Sequence, residues 1–267
     1  MVCKSWSLKQ VTYYMRISII TPSFNQGKYI EQTINSVLSQ NYQNLEYIVV
    51  DGGSTDETLS ILQKYEGKLK WISEKDKGQS DAINKGLQMT TGDVVAWLNS
   101  DDYYLPGTFE RVVEVFEKNK EARWVTGDYK IVDKKGKQIQ SFIPCYKKLL
   151  RKHPTFNMLS FANFIIQPST FWKREIMEEV GYVGQEYHLC MDYDLWLRIM
   201  GKYHPAVITS PLSAFRIHND SKGKLQYEKQ FQEEIQIASK HNKNFLIILL
   251  HRIHNSLIKF IYQIIKS

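Results

Sequence analysis

Two adjacent carboxylates, Asp101 and Asp102, close the apolar run GDVVAWLNSDD at residues 92–102, and their type and placement suit cation binding. Val94, Val95, Ala96, Trp97 and Leu98 read as a strand buried on both faces, so the acids emerge at its carboxyl edge. Open α/β sheets bind ligands at that edge. Mg²⁺ and Mn²⁺ prefer oxygen ligands, and Mg²⁺ is usually held by one or two carboxylates with substrate phosphates completing the shell. A polar turn after a strand uses the same residue types, so the pair alone leaves both readings open. A third carboxylate, Asp51, ends another strand-like run, and Gly52 and Gly53 after it let backbone approach a flat ligand. A carboxylate there can accept the imide proton of a uracil, or it can close a turn on its own backbone donors. No GxGxxG and no GxxxxGK[ST] occurs, which disfavours a dinucleotide site and a P-loop.

The elements that must position these acids are legible from periodicity. Residues 16–21 form a β-branched run, followed by PSFNQG and by Ile30, Ile34, Val37 and Leu38 at helical spacing. Residues 45–50 repeat the strand signal, and Thr55 or Asp56 can cap a helix carrying Leu59 and Leu62. Residues 69–73 read as a third strand, and Ala82, Ile83 and Leu87 as a helix leading to the strand that ends at the Asp pair. Strand and helix in alternation imply a parallel sheet with crossover helices. Past Asp102 the alternation breaks down. Phe109, Val112, Val113 and Phe116 mark a helix, residues 124–128 and 130–143 read as strands around a KKGK turn, and residues 165–171 read as strand-like. Residues 173–180 and 192–200 read as helices, and residues 212–217 as extended chain.

Apolar residues at 43% and charged residues at 24% match a soluble globular protein, and 267 residues suffice for one large domain with an appendage. Without an internal repeat or low-complexity linker, residues 16–240 are expected to form one domain, with halves 16–128 and 129–240. Residues 1–15 form an extension and 241–267 a tail. Cys3, Cys145 and Cys190 are odd in number and far apart, which gives no disulfide or zinc framework and suits a reducing cytoplasm. The first fourteen residues lack an apolar stretch of signal-peptide length, and Met15 is a second candidate start. A net charge of +7 is concentrated in residues 134–152, which hold no acid, and in the tail. Neither region carries a zinc-finger or RNP signature, so nucleic acid is not the expected partner.

The segments ISIITPSFNQGKYIEQTINSVLSQ, IVVDGGSTDET, EKDKGQSDAINKG, WLNSDD and CMDYDLWLRI occur in an order and spacing that resembles the family 2 glycosyltransferases of the GT-A fold, over residues 17–218. The resemblance implies an α/β, Rossmann-like GT-A domain with a mostly parallel central sheet and a mixed second half. It implies transfer of a sugar from a nucleoside diphosphate donor, UDP favoured, to an acceptor hydroxyl, with inversion and with Mn²⁺ or Mg²⁺. The implied acceptor is a saccharide or lipid-linked saccharide of a surface polymer. Carried over by position, Thr21, Pro22 and Ser23 line the nucleotide cleft, Asp51 contacts the base, and Asp76 lies near the base. Successive strand residues point in opposite directions, so the two acids should divide their work. Asp102 is assigned to metal and Asp101 to the ribose or nucleotide. Asp192 matches the catalytic base, with Asp194 as runner-up; its ordinary pKa near 4 suffices if the proton leaves late. A helix N-terminal Asp favoured by the macrodipole is the structural alternative. Arg216 and His218 share a face of an extended segment, where a guanidinium can hold phosphate and an imidazole can ligate metal. Residues 167–171 resemble the border of the sugar and acceptor pocket, and Trp172 or Trp196 serves either stacking or core packing. Three departures stand out: Gly52 replaces a second Asp, Ile83 an Arg, and Met191 an acid.

Residues 245–265 are interrupted by Arg252, His254, Asn255 and Lys259 and do not read as a membrane span. At about 100° per residue, Arg252, Asn255, Ser256, Lys259, Gln263 and Lys266 form one stripe and the apolar residues cover the rest. Such C-terminal amphipathic helices suit a membrane interface at 245–266, or docking on the protein's own core or a second subunit as a homo-oligomer. The cytoplasmic face of a membrane is the expected location. A glycoside hydrolase, with two carboxylates across a cleft, and an inactive membrane-associated sugar-nucleotide binder are the alternatives.

Overall fold

A computed structural model of the protein describes residues 15–219, 221 and 226–266, with side chains through residue 260. Residues 1–14 of the N-terminal extension, Cys3 among them, and the tail side chains of Gln263 and Lys266 lie outside what the structure describes. The first half alternates as its periodicity requires: β1 (Ile17–Ser23), α1 (Ile30–Leu38), β2 (Leu45–Asp51), α2 (Thr58–Lys64), β3 (Lys70–Ser73), α3 (Gln79–Met89) and β4 (Val94–Trp97). Strands β3-β2-β1-β4 lie side by side and wholly parallel. All four residues of β4 and all seven of β1 are buried, which is why these strands read as continuous apolar runs.

After β4 the chain adds β5 (Tyr103–Tyr104), α4 (Thr108–Lys118), β6 (Trp124–Val132), β7 (Gln138–Ile139), α5 (Phe142–Leu150) and α6 (Phe156–Phe161). A short 3₁₀ turn (Gln167–Ser169) then leads into β8 (Thr170–Lys173), α7 (Ile176–Val180), α8 (Met191–Met200) and β9 (Ala206–Arg216). Strand β8 is inserted antiparallel between β4 and β6, β9 runs parallel to β6, and β5 closes the sheet antiparallel to β9. Parallel and antiparallel pairings are therefore equal across the described sheet; the parallel expectation holds among β1 to β4, and the mixed second half follows as expected. The KKGK hairpin forms as expected, but its returning strand ends at Ile139, and Ile143 belongs to helix α5. In the 165–171 stretch Pro168 lacks the N–H a ladder needs, so strand begins only at Thr170.

One buried aromatic group couples the halves. Trp97 of β4 stacks on Trp196 of α8 at 5.5 Å and 10°, and Trp124 and Trp172 pack on Trp196 from β6 and β8. Trp172 and Trp196 are thus core residues rather than a ligand platform. Helices α9 (Tyr227–His241) and α10 (Phe245–Lys266) follow, α10 packing against α6 and α9. No helix among the described residues is long and apolar enough to cross a membrane.

Candidate active site

The loops after β1 and β2 are laced together at the carboxyl edge. Asn25, at φ 52°, accepts from the Thr55 N–H through its Oδ1 at 2.9 Å and donates its own N–H to Ser54 Oγ at 2.7 Å. Asp51 is fully buried and organises this junction: Oδ2 accepts from the N–H groups of Gly53 and Ser54 and from Ser73 Oγ, and Oδ1 from Ser54 Oγ. Asp51 thus takes the turn-closing role that its residue type and the following glycines allow. Thr21 also faces inward, 3.1 Å from the Tyr47 hydroxyl, and Pro22 is buried opposite Val50. Of the three residues expected to line the cleft, Ser23 alone ends at the loop with a hydroxyl that has no hydrogen-bond partner. Phe24 beside it is 58% exposed, an aromatic at the lip that periodicity gave no reason to single out.

Gly52 has a geometric explanation. A Cβ built there would lie 2.5 Å from Asp76 Oδ2 and 2.9 Å from its Cγ. The carboxylate of Asp76, half-buried and anchored by the Gly78 N–H at 2.9 Å, fills the space that a side chain at 52 would take.

Where β4 ends, the two acids part. Asp102 is 1% exposed and its Oδ1 accepts the Arg216 N–H at 2.8 Å. Burial, reinforced by the neighbouring Asp101 charge, pushes its carboxyl well above the usual range, against the pull of Arg216 and Asn99. Asp101 is the one that faces out: its side chain is 24% exposed and its Oδ2 lies 3.1 Å from His218 Nε2. His218 thus meets Asp101 directly, while Asp102, the acid assigned to metal from sequence, keeps a buried Oδ2 with no hydrogen-bond partner. The Arg216 guanidinium donates to the carbonyls of Asp101, Asp133 and Lys134 and to Gln32 Oε1, and lies over the rings of Tyr29 and Tyr103. These contacts make it a clamp on the acid turn. No group of three or more His, Cys, Asp or Glu suited to a metal occurs among the described residues. A carboxylate and an imidazole fit a divalent cation whose remaining positions are filled by phosphate and water.

Asp192 stands at the first turn of α8, half-buried, its Oδ1 accepting the Tyr193 N–H at 2.8 Å. Burial pushes its carboxyl up to about 6, opposed by that bond and by Lys147 of α5 and assisted by Glu234 of α9. Lys147 in turn is held below its ordinary value, burial leading. Asp194 is spent elsewhere: Arg198 Nε at 2.9 Å and His241 Nε2 at 2.8 Å occupy it, and its carboxyl is lowered despite burial because of them. Met191 and Ile83, the departures in α8 and α3, are core residues. In α3, Gln79 Nε2 donates to Asn99 Oδ1 at 2.8 Å, and Gln79 and Met191 both line a small cavity. Gln167 is nearly buried, its Nε2 donating to the Trp97 carbonyl, and Ser169 and Thr170 are fully buried. Sequence reasoning overlooked Asn99, Gln79 and Lys147; for Asn99 the signal was its place in the NSDD turn.

Fold and site together define a protein of the GT-A glycosyltransferase architecture. The crystal structure of residues 1–349 of S. aureus TarS matches with a TM-score of 0.63 at 18% identity, over 84% of this chain and 65% of that one. A mannosyltransferase of Pyrobaculum calidifontis, solved with GDP-Man and Mn²⁺, matches at 0.67 and 19% identity, over 91% and 70%. The profile of Glycosyl transferase family 2 matches residues 18–181, and the chain belongs to that family. An uncharacterised glycosyltransferase of Rickettsia conorii is 31% identical over 196 residues, 70% of this chain and 32% of the relative, so the chain spans about a third of that protein. TuaG of Bacillus subtilis, a putative teichuronic acid biosynthesis glycosyltransferase, is 38% identical over 131 residues, 48% of this chain and 52% of its own.

Proposed function

We propose that the protein transfers a sugar from a nucleoside diphosphate donor to an acceptor hydroxyl with inversion, Asp101 and His218 holding a divalent cation and Asp192 acting as base. The observation that carries this reading is the 3.1 Å pairing of the outward Asp101 carboxylate with His218 at the edge where β4 leaves the sheet. When bound, Mn²⁺ or Mg²⁺ supplies Lewis-acid neutralisation of the departing diphosphate. Ser23, Phe24 and Asp76 receive the nucleotide: a hydroxyl without a partner, an exposed ring, and a carboxylate able to accept a base N–H. UDP is favoured because uracil offers an imide donor to such an acceptor, and TarS has been solved with UDP and UDP-GlcNAc. Asp192 takes the acceptor proton, and a carboxyl raised to about 6 is a stronger base than an ordinary aspartate while still ionised at neutral pH. Inversion follows from attack on the sugar face opposite the diphosphate. The acceptor is proposed to be a saccharide or lipid-linked saccharide of a surface polymer, supported by the likeness to TuaG. Family membership sets aside the hydrolase alternative.

Calorimetric titration with UDP, with and without Mn²⁺, followed by a UDP-sugar turnover assay, tests the proposal. Metal-dependent UDP binding with turnover is expected. Metal-dependent binding without turnover on any donor would leave the inactive-binder alternative, and metal-independent binding would remove Asp101 and His218 from the site.

A further inference from the structure

Helix α10 sits on the protein by its more polar side. Its buried positions through residue 260 are Ile248, His251 and Asn255. Asn255 Nδ2 donates to Glu234 Oε2 at 3.4 Å, and His251 Nε2 lies 3.8 Å from the same oxygen. Leu246, Leu249, Leu250, Ile253, Leu257 and Phe260 fall on the opposite side, in a stripe roughly 100° wide at the helical repeat. All six are exposed, from 39% at Leu249 to 60% at Leu257 and Phe260. A helix on a water-facing surface turns its apolar stripe to the core; this one turns it outward. Asn255, expected on an outward polar stripe, is instead one of the contacts to the body.

Helix α5 extends the same surface. None of its residues is fully buried, although Lys147 turns inward toward Asp192, and it exposes Phe142 and Leu149. Tyr146, on the face they share, meets α10 through a 2.8 Å contact between its hydroxyl and His254 Nε2, with the rings stacked. Charge selects the occupant. Residues 134–174 and 235–267 contain no Asp or Glu, while Lys152, Lys243 and Arg252 are exposed in and beside the two helices; Lys148, also exposed, is paired with Asp128 at 2.7 Å. In a two-fold pairing of copies the same patch faces itself, which would bring cations onto cations. Anionic lipid complements both the apolar stripe and the charge.

We propose that the α5–α10 surface docks the protein onto an anionic bilayer, with α10 lying in the interface plane. The docking is independent of the donor chemistry. Its inner stripe touches Glu234, whose charge acts on Asp192, so the bilayer-facing helix stands behind the base-bearing end of α8.

Co-sedimentation of the full chain with vesicles of phosphatidylcholine alone, or with about 30% phosphatidylglycerol, tests this at low salt and at about 0.5 M. Binding to the anionic vesicles that weakens with salt is expected. The double variant Ile253→Ser/Leu257→Ser should partition roughly tenfold more weakly with its melting temperature and Mn²⁺-dependent UDP binding unchanged. Lys152→Glu/Arg252→Glu, which keeps the apolar stripe, should lose the preference for anionic lipid. Absence of vesicle binding, full binding by both variants, or a dimer in light scattering that the Ser variant dissolves would overturn the proposal. Any of these alongside intact UDP binding leaves the donor reading standing.

Discussion

Replacing Asp192 by Asn tests the site through stability as well as turnover. Burial pushes the carboxyl up to about 6, whereas an unfolded aspartate titrates near 4, and at about 1.4 kcal/mol per pH unit the gap corresponds to ~3 kcal/mol. The side chain is only half-buried, so solvent screening reduces the expected cost to ~1–2 kcal/mol. The folded carboxyl holds its proton more tightly than the unfolded one, so ionisation costs stability. That cost is absent below about pH 4, grows between about pH 4 and 6, and is complete above about pH 7. Asp192→Asn carries no such cost. In urea denaturation the variant should be ~1–2 kcal/mol more stable than the wild type at pH 8, with the gap closing at pH 4. In parallel, wild-type kcat/KM should fall about tenfold per pH unit below about pH 6, and the variant should retain Mn²⁺-dependent UDP binding without transfer. A gap that does not change with pH, an acid limb near pH 4, or undiminished transfer by the variant would refute the reasoning.

Three other perturbations divide the roles further. Asp101→Asn and His218→Ala should each weaken Mn²⁺-dependent UDP binding by roughly tenfold or more, whereas Asp102→Asn, which resembles the neutral acid its burial favours, should leave the metal response largely intact; calorimetry at fixed Mn²⁺ decides. Gly52→Asp should displace Asp76 through the 2.5 Å overlap and reduce UDP affinity, and the exchange Gly52→Asp/Asp76→Gly should recover part of it in the same titration. Lys147→Met removes a cation that lowers the Asp192 pKa, so the acid limb of the pH–rate profile should move above that of the wild type.

What was legible in the sequence was what neighbours along the chain decide. The parallel half reads directly because each strand is apolar throughout and each helix carries its stripe within one turn, so local periodicity and fold agree. The second half depends on distant partners. Whether residues 140–143 extend a strand or start a helix turns on where β6 ceases to offer a ladder, and Val132 pairs with Gln138 and also with Arg216 of β9. Strand alternation correctly requires Asp101 and Asp102 to point apart, yet it leaves open which one faces the cleft. That is set by the Arg216 N–H, 114 positions away, which draws Asp102 inward. The turn closed by Asp51 was half legible: its partners Gly53 and Ser54 are close in sequence, but Ser73, which completes its shell, arrives from β3. The raised carboxyl of Asp192 is equally invisible along the chain, because Lys147 and Glu234 come from α5 and α9.

The division of labour proposed for the two acids also gives Arg216 a positioning role through its contacts to their turn. Two ionised carboxylates on successive residues repel, and a metal turn that relaxed to separate them would lose its geometry. Burial disfavours the charge on Asp102, against the opposing pull of Arg216, while Arg216 Nε fixes the Asp101 carbonyl at 2.7 Å. From the other side Thr33 Oγ1 donates to the carbonyls of Ser100 and Asp102. Tyr29, at the entry to α1, packs on both His218 and Arg216. The turn carrying Asp101 is therefore held from α1 and from β9 at once, which fixes the carboxylate before any ligand arrives and spares the ordering cost at binding. Losing the clamp should consequently weaken cation binding through misplacement of Asp101 even though no ligand atom is removed. Arg216→Lys, which keeps the charge but not the fork, is the substitution that separates this positioning effect from electrostatics: a raised Mn²⁺ requirement for UDP binding is expected, and an unchanged one would show that the turn needs no clamp.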